Sequence, residues 1–251
     1  MKTSLRVPDS NVCLPKNDTF ESQAGTHVLT NVRMFQGQEK ELVVLSDARA
    51  YRSMSRASLL VSGVGLDLAQ AIKPLIDADP FSVGIYCAIN NGPEEYTSAK
   101  ELRNGNPDDF AAQYRRLRNP KHYLKQLPNL APAQLGIFLG AFGPTNTYSH
   151  SRFGVRHALK HAMLDLRSGK VKGALVCSAF AHEDLLLSFR SRMGLDSSRV
   201  LSEGAAAVFL ETSDLELDLK VIPKEDETSF TSDYFGIADD LIKLIQQGEF
   251  K

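Results

Sequence analysis

The sequence predicts an α/β fold on a mostly parallel sheet with helices on both faces. Three stretches carry that expectation. Residues 143–178 read as a turn, a strand, a helix, a glycine stop and a second strand, the βαβ unit that joins parallel strands. Residues 53–88 read as a helix and then a strand, with the turn Asn90-Asn91-Gly92-Pro93 at the strand's carboxyl end. Residues 202–211 (SEGAAAVFLE) pass from small residues, which allow close backbone approach, into a hydrophobic strand.

Taken in order, residues 1–40 are polar, hold Pro8 and Pro15, and are expected to be an irregular lead-in. Short extended pieces are expected around 27–34 (HVLTNVRM) and 41–45 (ELVVL), and 46–49 read as a connection. Residues 53–76 are expected to be helical, interrupted near 63–65 by Gly63 and Gly65 and disturbed by Pro74. A strand is expected at 82–88 (SVGIYCA). Residues 94–127 are the most charged part and read as short helices covering the surface. An apolar helix is expected at 133–142.

Thr145, Thr147 and Tyr148 then favour an extended chain after Gly143-Pro144. Val155, Ala158, Leu159, Ala162, Met163 and Leu166 fall on one helical face, which Ser168-Gly169 should end. Residues 173–177 (GALVC) read as a buried strand, followed by a short helix reaching Arg192. Strands are expected at 208–210 and 217–222. The last part, 224–251, reads as a polar loop and a short amphipathic helix at 237–245. No internal repeat is present, and 1–251 is expected to form a single domain.

Composition narrows the class. With 251 residues, 43% hydrophobic and 24% charged, the chain can bury the core of one large α/β domain. A net charge of −1 gives the whole molecule no pull towards nucleic acid or an anionic membrane. Cys13, Cys87 and Cys177 are too widely spaced for a disulfide framework or a metal knuckle, so a reduced, cytoplasmic protein is expected. The N-terminal stretch has no apolar run to mark a signal peptide. The longest apolar window, 135–142, is too short to span a bilayer.

The 143–178 stretch resembles the nucleophile region of the β-ketoacyl synthases, which have the thiolase fold. Their pattern is Gly-Pro, a strand ending in Thr-Ala-Cys, and a helix headed by that cysteine. Without gaps, the family Gly-Pro falls on Gly143-Pro144, the helix-ending glycine on Gly169, and a histidine often found in the helix on His157. The nucleophile's place is taken by Arg152. A guanidinium stays protonated, has no lone pair to attack a thioester, and cannot be acylated. The acidic-Gly-Ala run at 202–211 matches a second family signature, and the resemblance covers about residues 40–222, the first half of the family fold. The His-Gly-Thr-Gly-Thr motif of the family's second half has no match here. The chain is similar to short, half-length ketosynthase-like proteins of chain-length-factor type, found with aryl polyene and similar fatty-acid or polyketide gene sets.

The resemblance implies a thiolase-type half with a mixed, mostly parallel sheet. It also implies a homodimer, or a heterodimer with an active ketosynthase, because the family pairs the strand before the nucleophile helix across a dimer interface. Its functional implication is a non-catalytic accessory subunit that shapes a synthase or contacts acyl carrier protein, without a cofactor. Arg152, Arg156 and Lys160 recur at four-residue spacing on one helix face, either as a solvated face or as a docking site for an anionic partner. The competing expectation is a remodelled acyltransferase or thioesterase using Ser149, Ser151 or His150. Cys87 and Cys177 read as inert core thiols. His157 and His161 lack a third metal ligand, so no metal is expected.

Overall fold

The computed structural model describes residues 5–13, 32–33, 53–92, 96–149, 153–181, 200–212, 233–234 and 236–247. The strands are β1 (Leu5–Cys13), β2 (Val32–Arg33), β3 (Val83–Ile89), β4 (Thr145–Tyr148), β5 (Gly173–Phe180), β6 (Val200–Ser202), β7 (Gly204–Thr212) and β8 (Asp233–Tyr234). The helices are α1 (Arg56–Asp67), α2 (Ala69–Ala78), α3 (Tyr96–Asn104), α4 (Phe110–Leu117), α5 (Pro120–Gln126), α6 (Leu130–Leu139), α7 (Gly154–Arg167) and α8 (Asp239–Gln247). A five-stranded sheet in the order β1-β7-β5-β3-β4 is the frame. β3 pairs in parallel with β4 and β5, whereas β7 lies antiparallel between β5 and β1. The sheet is therefore mixed, with β7 alone reversed. β2, β6 and β8 form a separate three-stranded parallel sheet.

Strand alternation divides the core into two layers. Val83, Ile85, Cys87 and Ile89 of β3 face the same cluster as Leu175 and Cys177 of β5 and Phe209 of β7, covered by α1, α2 and α6. Tyr86 and Ala88, with Val176 and Val208, face the other cluster, covered by α7 and α8. Every α7 position expected on the buried face is buried, from Val155 through Leu166. Gly169 follows α7 with φ +74°, the left-handed conformation that ends a helix at little cost only in glycine. The terminal helix also forms, preceded by a 3-10 turn at Gly236–Ala238, and Leu241, Ile242 and Leu244 join α7 over the sheet.

Four expectations need correction. The lead-in at 1–40 is not wholly irregular, because Leu5–Cys13 is a nine-residue edge strand. Its register to β7 shifts between Arg6 and Asp9, the interval that holds Pro8. An edge strand and a bulge are the places where a sheet tolerates proline. The first helix is not broken at 63–65; it runs to Asp67 and bends by 75° around Leu68 into α2, which continues through Pro74. Gly65 serves packing, since a Cβ there would lie 2.6 Å from Cδ2 of the buried Leu135 in α6. The helix expected at 133–142 sits three residues earlier, at Leu130–Leu139, and stops at Gly140 with φ +75°. The strand expected at 208–210 begins at Gly204, because residues 204–207 already pair with residues 177–180 of β5 in the antiparallel ladder. The segments expected at 41–45, 46–49, 182–192 and 217–222 lie outside the described residues.

Candidate functional site

The carboxyl ends of β3, β4 and β5 and the start of α7 form the site that the sequence singles out. Among the described residues β4 is the last strand of its sheet and pairs only with β3. The Ile85 N–H donates to the Pro144 carbonyl at 2.8 Å, so in a parallel ladder the even-numbered residues of β4 bond to β3. Thr145 and Thr147 turn their peptide groups to the open edge. Ser149 follows β4, is exposed, and has no hydrogen bond to a base among the described residues. His150, Ser151 and Arg152 lie outside the described residues.

α7 begins against a closed surface on its inner side. A Cβ on Gly154 would lie 3.0 Å from Cδ1 of Ile237 and 3.4 Å from Cβ of Ala88. The Ser178 hydroxyl donates to the Ala88 carbonyl at 2.7 Å, with the Ile237 carbonyl 3.3 Å away. Gly236, with φ +53°, lets the turn lie on the Phe180 ring, where any Cβ would clash. The 3-10 turn at 236–238 is thus fastened to the strand ends beside the helix start.

The cations of α7 do not form one open face. Arg156 is half-buried, its Nε 3.5 Å from Oδ2 of Asp240 in α8, and its guanidinium carbon lies 5.9 Å from the centre of the Phe153 ring. Burial pushes the Asp240 carboxyl above its ordinary range; Arg156 opposes that rise and Asp239 adds to it. Lys160 is exposed.

A polar cluster missing from the sequence reading lies between α7 and the sheet edge. Buried Tyr86 donates from its hydroxyl to Oδ2 of Asp165 at 2.6 Å, and Nζ of Lys170 donates to the same oxygen at 3.0 Å. Gly84 leaves room for the Tyr86 ring, since a Cβ there would lie 2.8 Å from its hydroxyl. Burial and the hydrogen bond to Asp165 push the Tyr86 hydroxyl far above its ordinary value. One turn earlier on α7, Nδ1 of His161 shares a hydrogen bond with the Tyr148 hydroxyl. Burial, and then the charge of Asp165, push that hydroxyl up to about 12. The i, i+4 spacing of His157, His161 and Asp165 signals a shared stripe, but their partners on β3 and β4 are too distant in sequence to infer.

Cys87 and Cys177 stand opposite each other in neighbouring strands, on the face away from α7. Both are buried and burial pushes their thiols up, as inert core cysteines require. Among the described residues no group of three or more His, Cys, Asp or Glu is placed to hold a metal.

No family model and no curated protein matches this chain. Solved structures do. The chain is similar at 18% identity to a type II polyketide synthase complex, AntDE:AntF, of an acyl-carrier protein with its ketosynthase bound to the hexaketide (TM-score 0.60, 72% of this chain, 53% of that one). It is similar at 19% identity to the ishigamide ketosynthase/chain length factor (TM-score 0.52, 72% of this chain, 49% of that one). A third similarity, at 14% identity, is to the ketosynthase ApeO in complex with its chain length factor ApeC from Xenorhabdus doucetiae (TM-score 0.51, 84% of this chain, 80% of that one). The chain thus spans about half the length of the first two. Its strand order, its two helical layers and these similarities give it the α/β fold of the ketosynthases and chain length factors.

Proposed function

We propose that this protein is a non-catalytic, chain-length-factor-like subunit that works beside an active ketosynthase in fatty-acid or polyketide assembly, with aryl polyene synthesis as the pathway class. The observation that carries the reading is Arg152, which falls in the chain between β4 and α7, at the position that the resemblance assigns to the nucleophile. Arginine there rules out covalent acyl transfer at that atom. The open edge of β4 supports a paired assembly, because an unpaired row of peptide groups is a template for another strand. The partner is an active ketosynthase or a second copy, and an acyl carrier protein visits the assembly in a reducing, cytoplasmic setting.

Co-expression with a ketosynthase encoded beside it, followed by size-exclusion chromatography with light scattering, tests the assembly. A one-to-one complex is expected. A chain that elutes alone, as a monomer, in the presence of that ketosynthase contradicts the reading.

A further inference from the structure

Helix α7 packs against β4 and carries His157 and His161 four residues apart, both exposed. Residues at i and i+4 on a helix have Cβ atoms about 5–6 Å apart, so the two imidazoles rise side by side from neighbouring turns. This is the spacing with which a helix presents a pair of histidines to one zinc ion. Spacing alone would equally describe two solvated side chains.

Tyr148 sets this pair apart. Its half-buried ring stands edge-on to both imidazoles, with ring centres 5.4 Å from His161 and 6.4 Å from His157. Its hydroxyl shares a hydrogen bond with Nδ1 of His161. Metal-binding histidines are oriented in this way, by a partner on the nitrogen that does not coordinate. Here that leaves Nε2 of His161 as the coordinating atom. The Phe153 ring lies 6.3 Å from His157 and confines it as well. Burial first, and then the charge of Asp165, raise the Tyr148 hydroxyl to about 12, so it stays protonated and orients His161 without becoming an anionic ligand. Of the neighbouring charges, exposed Lys160 opposes a bound cation. Asp165, one turn beyond His161, is close enough to feel the imidazole's charge and offsets Lys160.

We propose that His157 and His161 form a binding site for a borderline divalent transition metal, zinc or copper, with Tyr148 as the positioning residue for His161. Two imidazoles fill two coordination positions, and water fills the rest. Imidazole nitrogen suits zinc and copper, whereas magnesium and calcium take oxygen ligands, and copper is held more tightly than zinc by a given nitrogen site. The assignment rests on α7 and β4 alone and holds whether or not the protein assembles with a ketosynthase.

Isothermal titration of the untagged full chain with zinc chloride, copper sulfate and magnesium chloride tests it. Binding of copper and zinc, in that order of strength, and none of magnesium is expected. The chain has six histidines, so variants assign the site. Tyr148→Phe removes the outer partner of His161 and should weaken zinc about tenfold. Removing a ligand by His157→Gln or His161→Gln, both exposed positions, should weaken it more. In a His161→Gln background Tyr148→Phe should add nothing, an outcome that a general loss of structure would not give. Nitrogen NMR of the histidine rings should show zinc shifting Nε2 of His161 while Nδ1 keeps its proton. No binding of either transition metal overturns the proposal. So does zinc binding that both histidine variants leave unchanged, or a zinc shift centred on Nδ1 of His161.

Discussion

The Tyr86 hydroxyl donates a 2.6 Å hydrogen bond to Asp165, tying β3 to the last turns of α7. Burial works against ionisation of Asp165, but the hydrogen bonds from Tyr86 and Lys170 and the charges of Lys170 and His161 outweigh it, so the carboxyl sits below its usual range. A carboxylate with a depressed folded-state value adds stability above its unfolded value of about 4 and loses it as pH falls through the folded value. Tyr86→Phe should cost about 1 kcal/mol at neutral pH. Its cost should fade as pH falls below the usual carboxylate range, through the lowered value of folded Asp165. Denaturant melts at pH 7 and pH 3 measure both; a cost that is the same at both would show that the hydroxyl does not act through this carboxylate.

A second polar contact lies on the other side of the sheet. Nε of Arg56, at the start of α1, lies 2.9 and 2.8 Å from the two carboxylate oxygens of fully buried Glu203, just before β7. Removing one partner leaves the other charge buried. Glu203→Gln should therefore destabilise the fold by about 3–5 kcal/mol, measured by urea unfolding. Replacing both residues with apolar ones should cost less than the single change.

Gly65 gives the contact between α1 and α6 a clear sign. Alanine is the better helix former by about 1 kcal/mol, but its Cβ would meet Leu135 at 2.6 Å. Leu135 is buried and would have to shift, so Gly65→Ala should destabilise by about 1–3 kcal/mol. Pairing it with Leu135→Val should recover part of that loss in thermal melts. A stabilised Gly65→Ala protein would mean that the helices separate freely there.

Thr147 offers its N–H to the open edge of β4, whereas Asn146 and Tyr148 bond inward to β3. Thr147→Pro should remove an outward donor and leave the inner ladder intact. Light scattering should then report loss of strand-paired assembly, with circular dichroism unchanged. An assembly that survives the change does not use this edge.

What the sequence reveals follows from how local each signal is. α7, β3 and β5 are legible because their apolar spacing reports which face is buried, and the buried residues match it from Val155 to Leu166. β1 is hidden because Pro8 and a polar run mask an edge strand whose partner lies about 200 residues away. The glycines of α1 suggest a break that packing against Leu135 explains instead. At the site, the helix stripe is legible, but the partners Asp240, Tyr86 and Tyr148 come from other elements and leave no periodic trace.

The proposed function requires that no side chain of this protein accept an acyl group. Intact-protein mass spectrometry after incubation with acetyl and malonyl thioesters, of coenzyme A and of carrier protein, tests it most directly. An unchanged mass and no thioester consumed are the expected result. A stable acyl adduct, mapped to Ser149, Ser151 or any other side chain, would contradict it and identify a catalytic residue.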